Sequence, residues 1–102
     1  MGLIHFKDED FNEIIGKGVV VVDFYANWCG PCKMLAPIIE DLAKELDDVS
    51  FVKINVDEND ELAREYSIMS IPTLIFFKDG KLVNKHIGLI NADRIKSIID
   101  EN

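Results

Sequence analysis

The two cysteines of the 102-residue chain, Cys29 and Cys32, are separated only by Gly30-Pro31. Two intervening residues let the sulfurs close a disulfide with little backbone movement, so the pair can exist as a dithiol or as a bridge. The thiolate is the nucleophile in such exchange, and an ordinary thiol with a pKa of about 8.5 is only about 3% ionised at pH 7. What surrounds the pair therefore decides whether it reacts. Pro31 suits the first turn of a helix, where the N–H it lacks would have no partner. A helix beginning here sets unpaired N–H groups and partial positive charge against the sulfur, and both favour a thiolate. Gly30 lets the backbone turn and leaves open space beside the sulfur. On this placement Cys29 is the exposed nucleophile. Cys32, about one turn in, faces the core and resolves the mixed disulfide its neighbour forms.

A carboxylate is the second candidate. Asp23 interrupts the apolar run VVVVDFYA, which makes burial the expected outcome over a solvated edge position. Desolvation disfavours the charged form, so its pKa is expected to rise toward neutrality. It could then accept the Cys32 proton as that thiol attacks. Lys53, in FVKINVD, either moderates this charge or packs its stem and sends its amine to solvent.

A structural zinc site would need four ligands, and beyond the cysteines the chain offers only His5 and His86, each far away in sequence. A static disulfide closing so short a loop would constrain the unfolded chain little. No metal is expected, and the redox reading stands ahead of both.

Strands and helices must alternate to hold these groups. Residues 3–6 read as a short strand, and Asp8 as the cap of a helix carrying Phe11, Ile14 and Ile15, ended by Gly16 and Gly18. Residues 19–26 are apolar on both faces and rich in β-branched side chains, as a covered central strand should be. From Pro31 to Leu46 the apolar period becomes three and four, an amphipathic helix that Pro37 should kink. VSFVKINVD is a further strand, and ENDELAREYS a short helix with Asn59 as its cap. TLIFF and LVNKHIG form a hairpin through Asp79-Gly80. Asn91 caps a last helix with Ile95, Ile98 and Ile99 on one face. The fold class is α/β: a three-layer sandwich with a mixed central sheet of four to five strands and helices on both faces.

Residues 1–102 read as one domain, long enough for a full hydrophobic core. Acidic residues outnumber basic ones 19 to 11, for a formal charge of −8. That balance argues against nucleic acid and anionic membrane surfaces as partners. MGLIHFKDED lacks a basic start followed by an apolar stretch, and its Phe6 stands where a lipidation motif would want Ser or Thr. The expectation is a cytoplasmic protein with no membrane association, and in a reducing compartment paired cysteines are redox-active or metal-binding.

WCGPC, with VDFYA upstream and SIPT downstream, resembles the thioredoxin family, and the likeness covers essentially the whole chain. Asp23, Trp28, Pro31, Pro37, Lys53, Pro72, Thr73, Gly80 and Gly88 arrive in the family's order. The resemblance implies a cis Ile71-Pro72 bond lying against the cysteines, with Ile71 offering backbone groups to an extended substrate segment. It implies an apolar docking patch of Trp28, Gly30, Val56, Ile71, Pro72, Ile87 and Gly88. It further implies a monomeric protein dithiol–disulfide oxidoreductase, running mainly as a reductase and needing no bound cofactor. Thioredoxin reductase would then supply electrons, and proteins with disulfides would be the targets. Gly30-Pro31 fits neither glutaredoxins, which usually have an aromatic there, nor disulfide isomerase domains, which usually have a histidine. Asn27 stands where the family varies freely. Leu89 departs from the small residue frequent after Gly88, which bears on partner choice. The rival from another class is a non-catalytic binding subunit of a larger enzyme.

Overall fold

The strand Val19–Tyr25 (β2) is the middle of the architecture, and its composition is the reason: Val20, Val21, Val22 and Phe24 are all buried, on both faces. In the computed structural model, which describes residues 2–102, β2 pairs in parallel with Val49–Asn55 (β3) and antiparallel with Thr73–Lys78 (β4). Gly2–His5 (β1) lies parallel outside β3, and Lys81–Ile87 (β5) antiparallel outside β4, giving one sheet in the order β1-β3-β2-β4-β5. The helices are Phe11–Ile15 (α1), Gly30–Glu45 (α2), Asp60–Glu65 (α3) and Ala92–Glu101 (α4). The expected α/β sandwich is thus present, with five strands.

Alternation along the strands divides the core. Val21, Phe51, Leu74 and Phe76 pack with Leu35, Ile39 and Leu42 of α2 and with Ile95 and Ile98 of α4. Val20, Val22, Phe24, Val52, Ile54, Ile75 and Phe77 form the other face with Phe6, Phe11 and Ile15. Fully burying each such side chain contributes about 1.5–3 kcal/mol, so residues sharing these strands are held in fixed positions. Asp23 and Lys53 share them.

Several helix ends differ from expectation. Asp10, not Asp8, caps α1: its Oδ1 accepts from the N–H groups of Asn12 at 3.1 Å and Glu13 at 3.4 Å. Starting there puts Phe11 and Ile15 one turn apart, and both are buried. Asn59 occupies the cap position of α3, but its side chain makes no cap bond and donates to the Asn55 carbonyl at 3.1 Å. Asn91 does cap α4, accepting from the Arg94 N–H at 2.8 Å. α2 passes through Pro37 as one helix.

The hairpin turn has positive φ at both Asp79 (50°) and Gly80 (86°), the handedness that matches strand twist. Asp79 also clasps the entrance to β2. Its Oδ1 accepts from the Gly18 N–H at 2.8 Å, and its N–H donates to the Gly18 carbonyl at 2.9 Å. Asp79→Ala is expected to cost about 1–2 kcal/mol, from the lost bond and the left-handed backbone. Asp79→Asn, which keeps an acceptor and tolerates that backbone, is expected to lose less. Urea midpoints of the two variants check this.

Candidate active site

β2 delivers the chain to the cysteines through a tight turn, in which the Cys29 N–H donates to the Ala26 carbonyl at 3.3 Å. Cys29 has extended backbone and is the N-cap of α2; its sulfur accepts the Cys32 N–H at 3.2 Å. A serine or aspartate oxygen usually fills this role. Pro31 lies in the first turn, as expected, and no acidic side chain is present there to compete with a negative sulfur. The two cysteines are joined as a disulfide, with Cα atoms 5.2 Å apart.

Both cysteines are buried, Cys29 at 5% exposure and Cys32 at 3%. The difference from the expected exposed Cys29 has a direct cause. In the bridged form its sulfur faces Cys32 and lies 3.8 Å from the Ile71 carbonyl oxygen, and Ala26, Val56 and Ile71 pack around the pair. The Ile71-Pro72 bond is cis. Pro72 is buried, and its carbonyl accepts the Gly88 N–H at 2.8 Å, which brings the end of β5 beside it.

Trp28 stands 70% exposed beside the disulfide, so packing is not its role. Its indole is nevertheless fixed: Nε1–H donates to Asp57 Oδ2 at 2.9 Å. Trp28, Val56 and Ile71 line one groove of about 160 Å³ together with Ile68, Met69 and Ser70. Ile87, 59% exposed, pairs in register with Thr73 and is not part of that groove. Gly30, like Pro31, is exposed at the helix mouth.

Asp23 lies on the α2 side of the sheet in a register row that runs His5, Lys53, Asp23, Leu74, His86. It is 1% exposed, and neither carboxylate oxygen has a hydrogen-bond partner. Burial pushes its pKa from the ordinary 3.8 up to about 6, against the smaller opposing pull of the Lys53 charge. Lys53 is itself buried, with Nζ 4.4 Å above the Tyr25 ring centroid, a cation–π contact. Its side chain also lines a cleft of about 210 Å³ shared with Cys32, Ala36 and Tyr25. The stem is packed as one alternative expected, but the ammonium rests on the Tyr25 ring and is not free in solvent.

The model of the thioredoxin family matches residues 2–101. The chain belongs to the thioredoxin family. A thioredoxin from Mycoplasmoides gallisepticum is 55% identical over 80 residues, covering 78% of this chain and 80% of that one. A Staphylococcus epidermidis thioredoxin is 45% identical over 103 residues, 100% and 99% of the two chains. Among solved structures, a mutant thioredoxin from Halobacterium salinarum superposes with a TM-score of 0.90 at 39% identity, covering 98% of this chain and 89% of that one. As a member of that family, the protein is a dithiol–disulfide oxidoreductase whose redox group is the Cys29–Cys32 pair itself, acting on disulfide-containing targets. No helix among the described residues is long and apolar enough to cross a membrane.

Sequence reasoning missed four neighbours of this thioredoxin site. Asp57, which holds Trp28, and Tyr25, which carries the Lys53 ammonium, had no signal in their own spacing. Ile68 and Met69 could have been found, since they directly precede the SIPT segment.

Proposed function

We propose that the protein runs mainly as a reductase of target-protein disulfides, with Cys29 as the attacking sulfur. Its thiolate attacks the target S–S bond, forming a Cys29–target mixed disulfide and releasing one target thiol. Cys32 then gives its proton to Asp23 and attacks the Cys29 sulfur. The bridge closes, the second target thiol leaves, and two electrons and two protons have passed to the target. Lys53 moderates the acid, while Gly30, Pro31 and Pro72 shape the backbone around the sulfurs. Trp28, Val56, Ile71, Pro72, Ile87 and Gly88 dock the target. Thioredoxin reductase restores the dithiol, and the protein works as a monomer in the cytoplasm as one domain.

The observation that carries this reading is the Cys29 sulfur serving as cap of a 16-residue helix, where a negative sulfur is favoured over a neutral one. Alkylation of the reduced protein with iodoacetamide tests it. Cys29 is expected to react with a pH inflection below that of a free thiol, and Cys32 to lag well behind. Two equally slow, unshifted thiols would overturn the assignment.

A further inference from the structure

Met69 is 91% exposed, more than any other large apolar side chain described. It is not on a loose loop. The Ser67 N–H donates to the Arg64 carbonyl at 3.1 Å and the Ile68 N–H to the Ala63 carbonyl at 2.8 Å. On the far side, Thr73 Oγ1 donates to the Ser70 carbonyl at 2.6 Å. The backbone is thus pinned before and after Met69, yet its side chain contributes almost nothing to the core. It lines the groove with Trp28 and Ile71, whose carbonyl oxygen lies 3.8 Å from the Cys29 sulfur. An unbranched, polarizable thioether held out at a docking surface adapts to varied partners. The same exposure leaves its sulfur open to oxidants that the bridged cysteines, buried and without a free thiol, resist.

We propose that Met69 is a modification site through which peroxides weaken the docking of target proteins. The thioether sulfur attacks one peroxide oxygen; the S–O bond forms as the O–O bond breaks, and the departing oxygen takes up the proton. Sulfur loses two electrons, and the peroxide is reduced to water or an alcohol. The sulfoxide puts a polar, chiral group where the groove is apolar, and a sulfoxide reductase activity would reverse it. This inference rests on the reading of the groove as the target-docking surface. The disulfide chemistry of Cys29 and Cys32 is untouched.

The test exposes the disulfide form to hydrogen peroxide and maps sulfoxide by peptide mass spectrometry. Met34, 61% exposed on α2 and outside the groove, is the other exposed methionine among the described residues, so Met34→Leu and Met69→Leu variants separate the two. Treated and untreated samples of each are then reduced with dithiothreitol and their rates compared toward insulin, a protein disulfide, and toward dithiobis(nitrobenzoate), a small one. Treated Met34→Leu is expected to lose about fivefold toward insulin, as when one apolar anchor of an interface is made polar, and to keep its rate toward the small disulfide. Treated Met69→Leu is expected to match its own untreated rate toward insulin. Equal losses toward both substrates, no loss despite full sulfoxide at Met69, or resistance of Met69 to the peroxide would each overturn the proposal. A protein inactive toward either disulfide before treatment would instead sink the reductase reading, while the mapping would still report on Met69.

Discussion

Cys32→Ser is expected to abolish turnover while leaving Cys29 able to capture targets. The resolving thiol sits in the first turn of the same helix that Cys29 caps, with the two Cα atoms 5.2 Å apart. That proximity replaces a bimolecular step by an intramolecular one. Well-oriented intramolecular groups act at effective concentrations far above any free thiol in solution, so losing this one should slow release by about 10³-fold or more. The Cys29–target mixed disulfide then outlives its formation. Non-reducing electrophoresis of the variant after incubation with disulfide-bearing proteins should show covalent adducts that dithiothreitol dissolves. The Cys29→Ser, Cys32→Ser double variant should show none. Adducts missing from Cys32→Ser but formed by Cys29→Ser would reverse the order of attack.

Asp23 carries the second large effect, and it falls on stability as well as on rate. Its carboxyl binds a proton more tightly in the folded protein, at about 6, than at the ordinary 3.8. A raised acid stabilises the fold while protonated, so its contribution is fully present below about pH 4 and is lost as pH rises through 6. The loss is on the order of 3 kcal/mol by neutral pH. Glu9 shifts the other way, lowered mainly by the Lys7 backbone N–H, and sits fully exposed. Comparing Asp23→Asn with the parent cancels such surface groups. With both proteins in the disulfide form, the variant is expected to gain on the parent in urea midpoint between pH 4 and 7, and the gap to close at lower pH. A gap independent of pH would mean that the carboxylate is solvated after all. In turnover the same substitution should slow the Cys32 step up to about 10²-fold and remove the inflection near pH 6 from its rate profile. The group expected to weaken the fold at neutral pH is the one proposed to take the proton from Cys32.

The contrast between these residues and the ones sequence reasoning missed is one of range. Pro31 in the first turn, Asp79-Gly80 in the hairpin and Asn91 at the last cap are set by neighbours within a few residues, so composition and spacing suffice to find them. Asp23 was legible for a different reason: a charge in a run of valines is anomalous whatever the tertiary structure. Asp8 and Asp10 have equal capping chemistry; what separates them is which start buries Phe11 and Ile15, a fact of the assembled core. Burial of Cys29 was likewise hidden, because the carbonyl that covers it belongs to a residue 42 positions away. Asp57 and Trp28 meet across 29 positions, with no pattern in either segment announcing it.

Because the sulfur of Cys29 doubles as the cap of α2, one interaction acts on both kinetics and equilibrium. A cap that accommodates negative charge holds the dithiol state lower in energy, and a protein whose dithiol is too comfortable becomes an electron acceptor. The unpartnered Asp23 charge pushes the opposite way, since a second anion on the same side of the sheet disfavours a buried thiolate. A helix end and one strand residue are therefore expected to pull the molecule's poise between donor and acceptor in opposite directions, and substitutions in either should retune it without touching the sulfurs.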